Sequence, residues 1–107
     1  MNYKVLIVAE AEEDIYEIYN YMATYDSVEN AENLLTKIEE TCNSLSNFPG
    51  RGHILPELER IGIFEYKEIH YKPYRIIYQI IEKSIYVHCV LDSRRNLQEL
   101  LEKRLLR

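Results

Sequence analysis

Two runs of β-branched and aromatic residues lie close together in the second half of the chain, YRIIYQIIE over residues 74–82 and IYVHCVL over residues 85–91. Such residues favour β-strands. Only Lys83-Ser84 separates the two runs, and a connection this short joins antiparallel strands through a tight turn. The preceding residues 64–71 largely alternate between apolar and polar side chains and stop at Lys72-Pro73, so they add a third strand. An antiparallel sheet is therefore expected in this half of the chain.

The first half of the chain predicts one strand followed by two helices. The stretch YKVLIVA, residues 3–9, has the composition of a strand. Apolar residues then recur every three or four positions in two segments, and Pro49-Gly50 ends the second. The apolar positions are Ala11, Ile15, Ile18, Tyr19 and Met22 in the first segment and Val28, Ala31, Leu34, Leu35, Ile38, Cys42 and Leu45 in the second. Because only a few residues join the two helices, they are expected to form an antiparallel hairpin.

A last amphipathic helix is predicted after Asp92 or Ser93, either of which can cap it. Its leucines lie on one side and either fold back onto the domain or contact a partner. They are Leu97, Leu100, Leu101 and Leu105. The whole pattern predicts an α+β fold: an N-terminal strand, an antiparallel two-helix hairpin packed on a twisted antiparallel sheet, and a C-terminal helix. The 107 residues, 1–107, suffice for a single domain with one core.

Charge is distributed unevenly along the chain, whose net charge is −5. Residues 1–47 carry ten acidic and two basic residues, and residues 51–107 carry eight acidic and eleven basic residues. The acidic half is either a solvated helix face or an interaction surface. An acidic chain argues against strong, sequence-independent binding to a phosphate backbone.

The cysteines and the N-terminus bear on where the protein works. Cys42 and Cys89 fall in apolar patterns, which indicates buried, reduced thiols and a reducing compartment. The apolar stretch at the N-terminus is only about six residues, shorter than a signal peptide or a membrane span requires. We therefore expect a cytoplasmic protein that does not associate with a membrane.

Three arginines are the candidate functional residues. Arg75 lies near the start of the predicted strand over residues 74–82, and Arg94 and Arg95 follow the predicted strand over residues 85–91. A turn at Lys83-Ser84 would pair residue 75 with a position near Asp92, which brings all three cations to one edge of the sheet. Such a cluster can bind an RNA phosphate and stabilise the charge that develops on it during cleavage. The alternative is an Arg75–Asp92 ion pair that fixes the hairpin to the last helix.

Histidines and tyrosines supply further candidates. His53, His70 and His88 are dispersed along the sequence, so each is either a structural residue or an isolated general base. The chain has ten tyrosines, whose apolar rings and polar hydroxyls suit a half-buried layer or a protein interface. Stacking on RNA bases is the more specific alternative. No spacing of cysteine and histidine indicates zinc, and no cofactor motif is present, so neither a metal nor a cofactor is predicted.

Four stretches occur in an order that is specific when taken together. They are AEEDIYEIYNYM, LSNFPGRGHILPEL, YKPYRIIYQI and VLDSRRNLQELLEKRL. Over nearly its whole length the chain resembles toxins of the RelE/ParE superfamily, the toxic halves of type II toxin–antitoxin (plasmid stabilisation) modules. The resemblance implies the α+β fold above and a partner antitoxin whose C-terminal segment wraps the toxin and silences it.

Within that superfamily the resemblance implies one of two activities. RelE-like members cleave mRNA on the ribosome with basic residues and often a C-terminal tyrosine, whereas ParE-like members poison DNA gyrase. Arg75 matches the arginine of the YR(I/L)(I/V)Y strand, and Arg94 and Arg95 match the basic pair after the last strand, so these three are the candidate catalytic residues. No tyrosine follows Tyr86, and residues 50–66 contain no lysine.

These departures from the RelE-like pattern, together with the acidic charge, favour a ParE-like inhibitor of DNA gyrase. The ParE-like pattern is itself incomplete, because Asp92 stands where a histidine is usual. A ribosome-dependent mRNA endoribonuclease is the first alternative. A diverged protein-binding module is the second, with a homodimer or antitoxin interface formed by the tyrosines and leucines.

Overall fold

The computed structural model describes residues 2–106, which form five strands and four α-helices. In chain order the elements are β1 (Lys4–Ile7), α1 (Ala9–Tyr25), α2 (Val28–Asn43), β2 (His53–Ile54), α3 (Pro56–Glu59), β3 (Tyr66–Tyr71), β4 (Tyr74–Ile81), β5 (Ser84–Asp92) and α4 (Gln98–Leu105). A single 3₁₀ turn, Ser44–Ser46, extends the end of α2. The short β2 and α3 lie between the helical hairpin and β3. Within residues 2–106 no helix combines the length and the apolarity that a membrane span needs.

The five strands form one sheet in the order β1-β5-β4-β3-β2. The strands from β2 to β5 pair with antiparallel neighbours, and β1 joins the sheet in parallel beside β5. The predicted α+β fold is therefore confirmed, with one addition: the sheet is mixed because the N-terminal strand runs parallel to its partner. This order leaves β1 and β2 at the two edges.

The hairpin between β4 and β5 has a different register from the predicted one. Ile81 pairs with Ser84, so the turn consists of Glu82 and Lys83 rather than Lys83-Ser84, and Glu82 takes the left-handed conformation with φ of 56°. Further along, Ile77 pairs with Cys89 while Tyr78 pairs with Val87, so β5 carries an extra residue, a β-bulge, between them. Relative to the predicted register, the turn shifts the β5 partner of each β4 residue by two positions, and beyond the bulge the net shift is one position.

The helical hairpin covers one face of the sheet, as predicted. Its buried residues pack directly on the inward side chains of the strands and form the larger core. The helical members are Ala11, Ile15, Ile38, Cys42 and Leu45, and the sheet members are Ile69, Ile76, Tyr78, Ile85, Val87 and Val90. Burial raises the pKa of the Cys42 thiol to about 12, which keeps it protonated and unreactive.

A buried tyrosine at the base of this core fixes the loop between α2 and β2. The Tyr78 hydroxyl donates a hydrogen bond to the Pro49 carbonyl at 2.8 Å and accepts one from the Gly52 amide at 3.1 Å. The approach is close: a Cβ added to Gly52 would lie 2.5 Å from the hydroxyl oxygen and 2.6 Å from the Glu68 carbonyl oxygen. Glycine at position 52 is therefore required by space.

The opposite face of the sheet is covered by α3 and α4. The C-terminal helix folds back onto the rest of the chain, which is the first of the two arrangements predicted for its leucines. The second core consists of Leu55, Leu58, Tyr66, Ile77, Cys89, Leu91, Leu97 and Leu101. Arg104 fastens α4 to α1, because its guanidinium contacts Asp14 at 3.0 and 3.2 Å and Glu10 at 3.4 Å.

Candidate functional site

Arg75 is held inside the protein by two carboxylates. Its guanidinium makes a two-pronged contact with Glu57 at 2.6 and 2.8 Å, and its Nε donates to Glu68 Oε1 at 2.5 Å. Only 8% of the residue is exposed. The hydrogen bond from Arg75 lowers the pKa of the Glu57 carboxyl, so this acid stays ionised beside the cation. The donors of this arginine are therefore directed at internal partners.

Local structure explains how these three charges meet. Glu57 lies on the single turn of α3, which begins with Pro56 at the position where proline suits a helix start and is anchored by the buried Leu58. Glu68 lies on β3, the strand beside β4, and faces the same side of the sheet as Arg75. The ion pairs consequently join α3, β3 and β4.

Arg94 is exposed and paired with Asp92. Its Nε donates to Asp92 Oδ1 at 2.9 Å, its Nη2 donates to Oδ2 at 2.5 Å, and its backbone N–H also donates to Oδ1 at 2.9 Å. These hydrogen bonds lower the pKa of Asp92 to about 2. Because 72% of the Arg94 side chain is exposed, this pair organises the turn after β5 and contributes little to stability.

Arg95 lies beside a small polar cleft between α1 and the C-terminal segment. The cleft has a volume of about 280 Å³. Its lining residues are Glu10, Glu13, Asp14, Glu17, Leu91, Arg95, Leu100 and Arg104. The acids of α1 thus surround Arg95 on this side, and the cleft is a site of mixed charge rather than a basic pocket.

The prediction that the three arginines meet at one edge of the sheet is therefore wrong. Arg75 pairs with Leu91 across the hairpin and Asp92 pairs with Tyr74, so Arg75 and Asp92 point to opposite faces of the sheet. The predicted Arg75–Asp92 ion pair does not form, because Asp92 binds Arg94 and Arg75 binds internal acids. The function of each arginine stays a prediction.

The histidines separate into a pair and an isolated residue. His53 and His70 lie next to each other beside Glu68, a grouping that the dispersed sequence positions did not predict. His88 lies elsewhere, 3.1 Å from Gln79 Oε1 through its Nε2 and edge-on to the Tyr66 ring. Burial, with a contribution from Arg104, lowers the pKa of His88 and favours the neutral imidazole.

A large apolar groove runs along β1 at the edge of the sheet. It has a volume of about 910 Å³. The groove is lined by Val5, Leu6, Ile7, Ala9, Ile15, Tyr16, Tyr19 and Leu35, with Glu12, Glu13 and Glu39 among them. Because β1 pairs only with β5, its outer side has the unpaired backbone groups of an edge strand. The groove therefore combines apolar surface, acidic side chains and a free strand edge.

Three tyrosines of α1 are exposed, one in the groove and two outside it. Tyr16 is 65% exposed and lines the groove, while Tyr21 and Tyr25 stack against each other outside it with ring centroids 4.7 Å apart. Large exposed aromatic side chains are typical of protein interfaces. The interface predicted for the tyrosines stays a prediction.

Comparison with known proteins identifies the family. Residues 5–97 match the family of the ParE toxin of the type II toxin–antitoxin system parDE. No curated protein matches the chain in sequence.

Two solved structures show the same fold at low sequence identity. The first, from the chromosomal ParDE toxin–antitoxin system of P. aeruginosa, has a TM-score of 0.71 and 15% identity over 84% of this chain and 95% of that chain. The second, from the toxin–antitoxin complex RelBE2 of Mycobacterium tuberculosis, has a TM-score of 0.65 and 19% identity over 86% of this chain and 92% of that chain. On the family match over residues 5–97, this protein belongs to the ParE toxin family of type II toxin–antitoxin systems.

Proposed function

We propose that this protein acts in the cytoplasm as a ParE-like inhibitor of DNA gyrase and that a cognate antitoxin silences it. We choose DNA gyrase over mRNA as the target because Arg75 is paired with Glu57 and Glu68. An endoribonuclease needs cationic groups directed at the phosphate on which charge develops. The one arginine of the YRIIY strand is directed at two carboxylates instead, and the chain as a whole carries a net charge of −5.

The three candidate arginines then have two different roles. Arg75 is a positioning residue that holds α3 against the sheet. By doing so it also keeps the second core in place beneath α4. Arg94 and Arg95 lie on the exposed turn that leads into α4, where they can contact the target protein. This assignment accounts for a buried cation in β4 and two exposed cations a short distance along the chain.

The antitoxin is proposed to occupy the groove along β1. An extended peptide can add a strand to a free sheet edge and place its apolar side chains in neighbouring pockets. The acidic residues Glu12, Glu13 and Glu39 in the lining favour a peptide with basic residues beside apolar ones. The two structural neighbours come from toxin–antitoxin systems, which supports a partner of this kind.

The target is tested with the purified protein in two parallel assays. Inhibition of supercoiling by DNA gyrase, with no cleavage of mRNA on translating ribosomes, is expected. In cells, expression without the antitoxin should stop growth and induce the DNA-damage response. Growth arrest with intact DNA and shortened mRNA would instead support the RelE-type endoribonuclease.

Residue roles are tested on variants that keep the fold. Arg94→Ala and Arg95→Ala remove exposed cations and should weaken gyrase inhibition without changing the unfolding midpoint. Arg75→Ala does not separate a contact role from a structural one, because that change removes the partner of the buried Glu68 and the partly buried Glu57. If inhibition is the same in both exposed variants and the wild type, the proposed contact through the turn is wrong.

A further inference from the structure

Two histidines and a glutamate meet at the β2 edge of the sheet, on the side away from the proposed antitoxin groove. Nε2 of His70 lies 3.2 Å from Glu68 Oε1, and Nε2 of His53 lies 4.0 Å from Glu68 Oε2. The three side chains bring their ligand atoms within 4.8 Å of one another. Within residues 2–106 no other group of three histidine, cysteine or acidic side chains does so.

The sheet itself creates this grouping. His53 on β2 pairs directly with Glu68 on β3, so both side chains point to the same face. His70 is two residues beyond Glu68 on the same strand and therefore shares that face. The glutamate is buried with 4% of its side chain exposed, whereas His53 and His70 are 66% and 39% exposed. A buried carboxylate is thus overlaid by two imidazoles that solvent can reach.

Charge favours a cation at this point. Glu57 and Glu68 both bind Arg75, and Arg60 adds a second positive charge on the Glu57 side only. Glu57 is fully engaged by the two-pronged contact with Arg75, whereas Glu68 receives only the Nε of that arginine. Of the two acids, the one that faces the histidines is therefore the less compensated by positive charge.

We propose that His53, Glu68 and His70 bind a divalent transition-metal ion, with Zn²⁺ as the preferred species. Two imidazole nitrogens and one carboxylate oxygen form a ligand set that suits Zn²⁺ and related borderline metals. Metal–ligand bonds near 2 Å place the ligand atoms of a tetrahedral site about 3.3 Å apart. The His70–Glu68 separation is already of that size. All three ligand atoms lie within 4.8 Å of one another, so the exposed His53 ring has to approach by at most about 1.5 Å.

The surrounding residues suit a metal site in a second respect. Arg75 donates from Nε to Glu68 Oε1 and so fixes the orientation of the carboxylate, as residues behind metal ligands generally do. Three protein ligands leave a coordination position for water or for a ligand atom of a partner. The bound metal would tie the two-residue strand β2 to β3 and thereby stabilise the segment that carries α3. This inference does not depend on the gyrase proposal.

Zinc binding is tested by titrating zinc chloride into the full-length protein near neutral pH. Calorimetry should give one Zn²⁺ per chain, and the melting temperature should rise with the zinc concentration. His53→Ala and His70→Ala should each weaken binding by at least about tenfold. His53 is exposed, so its replacement should leave the fold and the zinc-free melting temperature unchanged. His88→Gln is the matched control, because it removes a histidine outside the site and should retain zinc affinity.

Cobalt provides a spectroscopic readout of the same ligands. Cobalt chloride added to the wild type should give visible absorption bands of Co²⁺ bound by nitrogen and oxygen, and these bands should be lost in both histidine variants. The two cysteines are buried, and burial raises the pKa of each to about 12, so neither competes as a ligand. No zinc-dependent change in melting temperature, or equal affinity in wild type, His53→Ala and His70→Ala, would overturn the proposal.

Discussion

Arg75 and Glu57 form a two-pronged ion pair, at 2.6 and 2.8 Å, that joins the middle of the sheet to the single turn of α3. The residues are 18 positions apart in sequence. Gln98 extends the connection, because its side-chain amide donates to the Glu57 carbonyl at 2.9 Å and so attaches α4 to the same turn. One buried cation therefore organises the side of the sheet that the helical hairpin leaves uncovered.

Replacing Arg75 by alanine should destabilise the protein strongly. The change leaves Glu57 and Glu68 without their cation, and breaking a buried ion pair from one side costs about 3–5 kcal/mol. Equilibrium unfolding in urea measures the loss. Arg94→Ala is the control, because its pair with Asp92 is exposed and should contribute little to stability. Equal unfolding midpoints for the two variants would contradict the structural role of Arg75.

Gly52→Ala should also destabilise the fold, for a steric reason. The added methyl group would lie 2.5 Å from the Tyr78 hydroxyl and 2.6 Å from the Glu68 carbonyl oxygen, so the loop or the strand has to move. Overpacking of this kind costs about 1–3 kcal/mol. Gly50→Ala is a matched control two residues away, because no atom outside its chain neighbours lies within 4 Å of its added methyl group. Thermal unfolding should show a lower midpoint for the first variant only.

Stability should fall on mild acidification because of His88. Burial and the charge of Arg104 lower the pKa of His88 in the folded state, below the ordinary value of 6.5 that applies when the chain is unfolded. The unfolded chain therefore binds the proton more readily, and stability present above pH 6.5 is lost as the pH falls through the lower, folded-state pKa.

The measurement compares urea midpoints of the wild type and His88→Gln at about pH 7.5 and about pH 5.5. Glutamine cannot take up the proton, so the variant should lose less stability over this interval. Other groups titrate in both proteins and cancel in the comparison. The same pH dependence in both would show that His88 does not contribute.

The sequence predicts the elements and the layers of this fold well, because they follow from periodicity. The three- and four-residue spacing of the helices and the dense apolar strands correspond to α1, α2, β4 and β5. The register was not predictable. Glu82 adopts a left-handed conformation that glycine or asparagine would have signalled, and nothing in VHCV marks an extra residue in β5.

The candidate site was predicted less well for a related reason. A shift of one residue moves a side chain to the other face of a sheet, and the expected Arg75–Asp92 contact depended on that register. Glu57 lies on a helical turn within a segment that resembles a loop, so its contact with Arg75 has no sequence signal. His53 and Glu68 come together only through the pairing of β2 with β3. Contacts between residues this far apart in sequence can be predicted only when the order and pairing of the strands are known.

The proposed antitoxin groove is tested by a pair of tyrosines on α1. Tyr16 lines the groove, whereas Tyr25 is similarly exposed and lies outside it. Tyr16→Ala should weaken antitoxin binding by about tenfold or more, since truncation of a central aromatic residue in an interface commonly costs about 2 kcal/mol. Tyr25→Ala should bind as the wild type does.

Calorimetry with the purified antitoxin measures the dissociation constants of both variants. Because both side chains are exposed, neither change should affect the unfolding midpoint. Equal losses of affinity in the two variants would place the antitoxin across the outer face of α1 instead of in the groove beside β1.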